Sequence, residues 1–291
     1  MRVRASGDPI LEKFDRWTLS IGNGEFSSAE VPIPEEMITE IVPNTKDEPK
    51  DEEKSMKTFC QIVFPDLETN IHKKSWLEGR TILAPTNKEV DALNQMMEDW
   101  LPQEGTKHSS ADSLENPADA FRFNTEYLNS LRPNGFPQHK LNLKPGMPLM
   151  LLRNINPRQG LCNGTRLIFE KCVDNKLLQC KVFETGRLVL IPRIIFIPKA
   201  NEYPFEWQRR QFPVRAAFAI TINKSQGQTL KYAGVWLRGQ VFTHGQLYVA
   251  CSRVSSPSNL KFAVMRKSDK QSCTANNIVF KEVLLKQNMS S

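Results

Sequence analysis

The segment Ala217–Leu230, AFAITINKSQGQTL, changes character at Asn223. An apolar, strand-like run gives way to Asn223, Lys224, Ser225, Gln226, Gly227, Gln228 and Thr229. A buried strand that ends this way offers a loop to a ligand. Glycine permits close backbone approach, and a glutamine amide donates to an oxygen. Amide, hydroxyl and ammonium groups together suit phosphate contacts that carry no sequence information. A second stretch, ILAPTNKEVDALN, sets a Pro-Thr-Asn turn before a helical pattern. There Thr86 or Asn87 caps the helix and leaves its first amides open to an anion. A third, HGQLYVACSRV, ends in Arg253. Read alone, Arg253 is a surface arginine at a helix end, where its charge favours the helix dipole.

Other chemistry is missing. A phosphate-binding loop of the form G-x-x-x-x-G-K-[ST] needs a glycine followed by lysine, and none of the 14 glycines has one. The only Asp-Glu pairs, Asp47-Glu48 and Asp51-Glu52, lie in an acidic stretch and do not follow an apolar strand. No primary ATP site is expected within these residues. The six cysteines form no C-x-x-C pair and the four histidines are scattered, so no metal site is expected. Free thiols point to a reducing, intracellular compartment. No stretch approaches the roughly 20 apolar residues of a membrane span, and no membrane partner is expected.

The net charge is +7, unevenly spread. Residues 30–54 hold nine acids against three lysines; the remainder has 36 basic and 23 acidic residues, or +13. Between Arg187 and Arg238 there are nine Lys or Arg and only Glu202 and Glu206 as acids. Such a surface attracts a polyanion.

The elements that must position these groups fall into a coarse order. Residues 1–28 read as helix, closing at GNGEF. Residues 30–57, rich in proline and acid, read as an exposed segment, partly ordered at best. Residues 58–102 read as α/β: RTILAPTN is a short strand and turn, and Val90, Leu93, Met97 and Leu101 recur at helical spacing. Residues 119–200 carry short apolar runs split by Pro-Gly, Asn-Pro, Asn-Gly and Glu-Thr-Gly signals, which predicts a small antiparallel barrel. From Phe212 the α/β character returns, with VRAAFAITI and AGVWL as buried strands and HGQLYVACSRV as a short helix. No internal repeat is visible.

ILAPTNKEVDALN, LKPGMPLMLLRNINPRQGLCNGTRLIF, RRQFPVRAAFAITINKSQGQTL and HGQLYVACSRV occur in one order. Together they resemble the Pif family of DNA helicases, of superfamily one, and especially the versions carried by Helitron transposons. The opening MRVR resembles the family's Asn-Met-Arg motif without its Asn. The resemblance covers essentially the whole chain.

It implies an α/β fold: the second RecA-like lobe of a P-loop-type helicase, interrupted by an SH3-like β-barrel. The lobe would span 1–118 and 201–291, and the barrel 119–200. It implies ATP and Mg2+ as cofactors of the complete enzyme, single-stranded DNA and a missing first RecA-like lobe as partners, and a nuclear location, with mitochondria as the alternative. It also implies roles in DNA repair, recombination and telomere maintenance. Arg253 would be the arginine finger and Arg2 a second γ-phosphate-sensing arginine. Gln226 and Gly227 would approach the nucleotide. Thr86, Asn87, Thr221, Asn223, Lys224 and Ser225 would lie towards DNA, with Arg153, Asn154, Asn163 and Arg166 as weaker candidates. The family often has His where Asn223 stands, so a titratable ring is lost there. Cys251 replaces a usual Leu and is expected to pack. His108, His139 and Trp207 are assigned to solvent or packing. Two other readings stay open: a standalone nucleic-acid-binding module derived from such a helicase, and a decayed transposon fragment.

Overall fold

The structure, a computed structural model, describes residues 8–42, 49–265 and 273–282. It divides into two compact units: Met1–Trp100 with Phe218–Ser291, and Leu101–Ala217. The sequence pattern places these borders near 118 and 200. They differ because residues on both flanks enter the second unit through long-range pairing. Thr106–Ser109 pairs antiparallel with Lys140–Leu143, and Ala111–Leu114 with Trp207–Gln211. Local periodicity carries no record of such partners.

The first unit is built on a five-stranded parallel sheet. Its spatial order is Ala219–Thr221, Arg80–Ala84, Tyr232–Leu237, Leu260–Met265 and Ile38–Val42. The central strands are buried on both faces, as parallel strands covered by helices must be. Helices Pro49–Val63 and Asn87–Trp100 pack on this sheet. Val90, Leu93 and Met97 are fully buried, as their spacing predicts. At Gly234 a Cβ would drive into Val63 and Phe59, so only glycine lets helix Pro49–Val63 lie this close to the sheet. Helix Pro9–Asn23 starts at Asp8, whose carboxylate accepts from the Ile10 N–H at 2.9 Å, with Pro9 in the first turn. It stops at Gly24 in the left-handed conformation, within the GNGEF stretch expected to end it.

Two sequence expectations are corrected here. The acidic 30–57 segment is not simply exposed: Ile38–Val42 is an edge strand of the parallel sheet, and Val31, Ile33, Met37 and Met56 are buried. Those four apolar side chains reach the core, which average composition conceals. Residues 43–48, with Asp47-Glu48, lie outside the described residues. The run VRAAFAITI is not one strand either. Val214–Ala216 pairs antiparallel with Leu149–Leu151, whereas Ala219–Thr221 pairs parallel with Ile82–Ala84. One apolar stretch thus serves two sheets.

The second unit is antiparallel. Its five-stranded sheet runs Leu188–Pro192, Leu177–Val182, Arg166–Val173, Pro148–Leu151 and Val214–Ala216, beside sheets of three and two strands. These are three separate sheets among the described residues. The turns fall where the sequence signals place them, with Gly146, Gly164 and Gly186 all at positive φ. Leu149, Leu151, Leu167, Leu178, Ile191 and Phe212 form its core. Arg209, fully buried, meets Asp112 through Nη2 at 2.7 Å. It also donates to the carbonyls of Leu128, Leu131 and Pro137 at 3.0–3.1 Å. This buried cation gathers three backbone carbonyls around itself, a role that sequence reading did not assign. Trp207 and His108 are buried, in keeping with packing, and the His139 ring meets the Ser110 hydroxyl at 2.8 Å.

Candidate functional site

In a parallel sheet, ligands bind in loops beyond the carboxyl ends of the strands. Here Thr221 lies in register with Ala84. The turn after Thr221 and the Pro85-Thr86-Asn87 turn therefore leave the same edge of the sheet. Strand Tyr232–Leu237, parallel to Arg80–Ala84, delivers its following loop to that edge too.

The turn after Thr221 is a single 3-10 turn, Ile222–Ser225. Ile222 and Ser225 are buried, while Asn223, Gln226 and Gly227 are exposed and Thr221 and Lys224 are half-buried. Gly227 has φ 82, and nothing lies within 4 Å of where its Cβ would stand. The conformation calls for glycine, and the space beside it is open. The expectation for Ser225 is corrected. Its hydroxyl points inward and donates to the Ile222 carbonyl at 2.7 Å, so it shapes the turn and is not presented to DNA.

Arg253 reaches this turn from the end of helix Gln246–Cys251. Its Nη1 donates to the carbonyls of Ser225 and Gln228 at 3.3 and 3.0 Å. Nε donates to the Val249 carbonyl at 2.8 Å, and Nη2 to the Ser252 hydroxyl at 2.8 Å. A guanidinium has five N–H groups; four are engaged, leaving one Nη2 hydrogen. Burial holds the Arg253 pKa below its ordinary value, with Tyr248 opposing the shift, yet an arginine stays charged. The contact with Val249 is the helix-end reading of this residue. It binds its own helix end, and it stands beside Gln226 and Gly227. Gln228, which sequence reading left out, is part of the same clasp, since its Nε2 donates to the Lys224 carbonyl at 3.2 Å. Cys251 is fully buried, and burial pushes its thiol well up.

The Pro85-Thr86-Asn87 turn carries a capping box. The Thr86 N–H and hydroxyl both donate to Glu89 Oε2, at 3.2 and 2.7 Å, and the Glu89 N–H donates to Thr86 Oγ1 at 3.3 Å. The helix start is thus already served by a carboxylate, and Asn87 is the exposed member of the turn. Glu89 Oε1 also accepts from the Gly239 N–H at 2.9 Å. Gln246, buried, accepts from the Phe242 N–H at 3.0 Å and reaches the Pro85 carbonyl at 3.5 Å. Glu89 and Gln246 therefore tie the loops after two neighbouring strands together. A Gln about two turns before Arg253, at the start of the same short helix, was the signal that could have found the second tie.

The weaker candidates are engaged within the second unit. Arg153 donates to the Gly135 carbonyl at 3.0 Å and lies over the Phe196 ring. Asn154 accepts from the Asn163 N–H at 2.8 Å, and Arg166 lies over the Phe183 ring. Arg2 lies outside the described residues. Among the described residues no three His, Cys, Asp or Glu gather as a metal site, and all six cysteines are free. Gln226, Gly227 and Arg253 fit one wall of a phosphate site: an exposed amide, open backbone and a cation. They do not form a complete one.

Residues 126–171, within the second unit, match the model of the DNA helicase Pif1 2B domain. An ATP-dependent DNA helicase PIF1 from Danio rerio is 36% identical over 122 residues, covering 42% of this chain and 19% of its own length. The Xenopus laevis PIF1 is 32% identical over 202 residues, covering 67% of this chain and 29% of its own. This chain therefore spans less than a third of the length of these curated relatives. A crystal structure of Bacteroides Pif1 in complex with ADP-AlF3 and single-stranded DNA superimposes with a TM-score of 0.60 at 18% identity, over 100% of this chain and 55% of that one. The α/β architecture is thus that of a Pif1 helicase portion, and the chain is a relative of the Pif-family DNA helicases, matched over part of their length.

Proposed function

We propose that this chain is the C-terminal portion of an ATP-dependent DNA helicase of the Pif type. It supplies the second RecA-like lobe and, in Leu101–Ala217, the counterpart of the SH3-like barrel. The observation that carries this reading is the convergence of the Thr221–Gln228 turn, Arg253 and the Thr86-Asn87 turn at one edge of a parallel sheet. Charge develops on the γ-phosphoryl oxygens during phosphoryl transfer, and a positioned arginine stabilises it. Arg253 has one Nη2 hydrogen to offer, and can release its carbonyl partners as the phosphate approaches. Gln226 and the open backbone at Gly227 form the wall beside it. Thr221, Asn223, Lys224 and Asn87 face the DNA backbone with donors that ignore base identity. Mg2+ would neutralise phosphate charge when bound; its ligands belong to the first lobe, which this reading requires as a partner. A DNA-processing role supports action in the nucleus.

The test joins this chain to the first lobe of a related helicase. Arg253→Ala there lowers ATP turnover by about 10³ to 10⁵-fold, with a much smaller change in ATP affinity, because the finger acts on transition-state charge. Arg253→Lys does not restore turnover, since an ammonium lacks the planar fork. A folded Ala variant within about threefold of the parent would refute the finger role.

The excess of basic residues outside 30–54 favours a second reading, a nucleic-acid-binding module. Both readings require weak, sequence-tolerant binding to single-stranded DNA that falls steeply with salt. Anisotropy of a labelled oligonucleotide across a salt series measures it, and salt-independent affinity would contradict both.

A further inference from the structure

Away from the proposed site, helices Pro49–Val63 and Asn87–Trp100 enclose a cleft of about 590 Å³. Met56, Ala92, Met96 and Trp100 are its apolar lining. Trp100 also walls a second cavity of about 380 Å³, lined by Gln61 of helix Pro49–Val63 and by Pro65, Leu67 and Thr69. The two cavities make one interrupted groove with a tryptophan between them. Methionine and tryptophan are the side chains that adapt to and anchor a docked partner.

The charge of this groove opposes that of the molecule. Glu52, Glu53 and Asp99 line the first cavity and Asp66 and Glu68 the second, with Lys57 the cation among the described lining residues. Arg238 pairs with Glu52 at 2.7 Å, and Gln95 donates to Asp99 at 3.0 Å; Glu53, Asp66 and Glu68 are exposed. In a chain of net charge +7 this is a negative channel. Phosphates are repelled from it. Its length, from Glu52 to Gln61, is about 14 Å at the helical rise of 1.5 Å per residue, enough for two to three turns of a partner helix. No strand lines it, so a partner cannot extend a sheet there.

We infer that this groove docks a basic amphipathic helix of a protein partner. Two apolar anchors at helical spacing enter the cavities on either side of Trp100. Lysines or arginines on the flanks meet Glu53, Asp99 and Glu68. The recognition mode is helix-in-groove, with charge setting orientation and encounter rate.

The probe is a fluorescent 14-residue helical peptide with leucine on one face and lysine on the other, added to the full chain. Controls replace every lysine with glutamate, or alternate leucine and lysine so that no helical face forms. The leucine/lysine helix binds and the two controls do not. Ala92→Arg, on an exposed helix position, plugs the first cavity and abolishes binding. The triple variant Glu53→Lys, Asp99→Lys, Glu68→Lys weakens it by about tenfold or more, as lost rim charges do. Thermal melting confirms that both variants fold. Absence of binding at low salt, equal binding by the glutamate peptide, or affinity unchanged by Ala92→Arg overturns the proposal. So does loss of single-stranded DNA binding in Ala92→Arg, which makes the groove a nucleic-acid site. A dimer in sedimentation that Ala92→Arg dissociates would assign the groove to a second copy.

Discussion

Arg253 serves the fold before it serves any ligand, and that is measurable on this chain alone. Truncation to alanine removes donors from the carbonyls of Ser225, Gln228 and Val249. A hydrogen bond from a charged donor is worth about 1.5–3 kcal/mol when buried. Arg253 is half-buried, so water takes over part of each bond, and about 1 kcal/mol per carbonyl is the fitting value. The expected loss is about 3 kcal/mol, or a fall in melting temperature of about 6–12 °C for a chain of this size. The loss is local, because the three carbonyls belong to one turn and one helix end. Hydrogen exchange of the Gln226 and Gln228 amides, which donate to Asn223 and Ser225 carbonyls, should accelerate well beyond that of strand Tyr232–Leu237. Arg253→Lys should recover about a third of the stability, since one ammonium cannot span carbonyls on two elements. Urea melts and exchange mass spectrometry are the assays. A stability loss under about 0.5 kcal/mol, the range of an ordinary surface substitution, would show that the clasp does not hold the turn. The turnover experiment must then be run below the variant's melting temperature, so that a missing finger is not confused with a missing fold.

Two further outcomes follow from the second unit. Arg209→Met leaves Asp112 buried without its cation and takes the guanidinium donors from the carbonyls of Leu128, Leu131 and Pro137. It should cost about 3–5 kcal/mol, read by urea unfolding, and a loss below 1 kcal/mol would contradict the hub. Burial, with Arg193 behind it, keeps His108 below its ordinary value of 6.5, and burial acts the same way on His139. The unfolded chain therefore binds more protons as pH falls through 6.5. Stability is present above that pH and declines below it. His108→Leu should make the fall in urea midpoint between pH 7 and pH 5 shallower, and an equally steep fall would sink the assignment.

Local patterns in the sequence determined the local elements. The spacing of Val90, Leu93 and Met97 marked a helix, and the Thr86–Glu89 box fixed its start, because capping and helical periodicity act within one or two turns. The glycine-bearing turns of the second unit were legible for the same reason, as was the break at Asn223 where an apolar strand becomes a polar turn. Tertiary structure alone decided partnership. Ala111–Leu114 and Trp207–Gln211 joined the inserted unit through each other, 97 residues apart at Asp112 and Arg209. The acidic stretch gave the parallel sheet an edge strand because Leu260–Met265 was there to receive it. One run of apolar residues was divided between two sheets because its halves found different partners. Likewise the sequence named Ser225 and Arg253 as chemical groups, but only packing turned the hydroxyl inward and set the guanidinium over the carbonyls of its own turn. Those outcomes depend on which atoms meet across the fold, and burial energies between distant segments are not encoded in spacing along the chain.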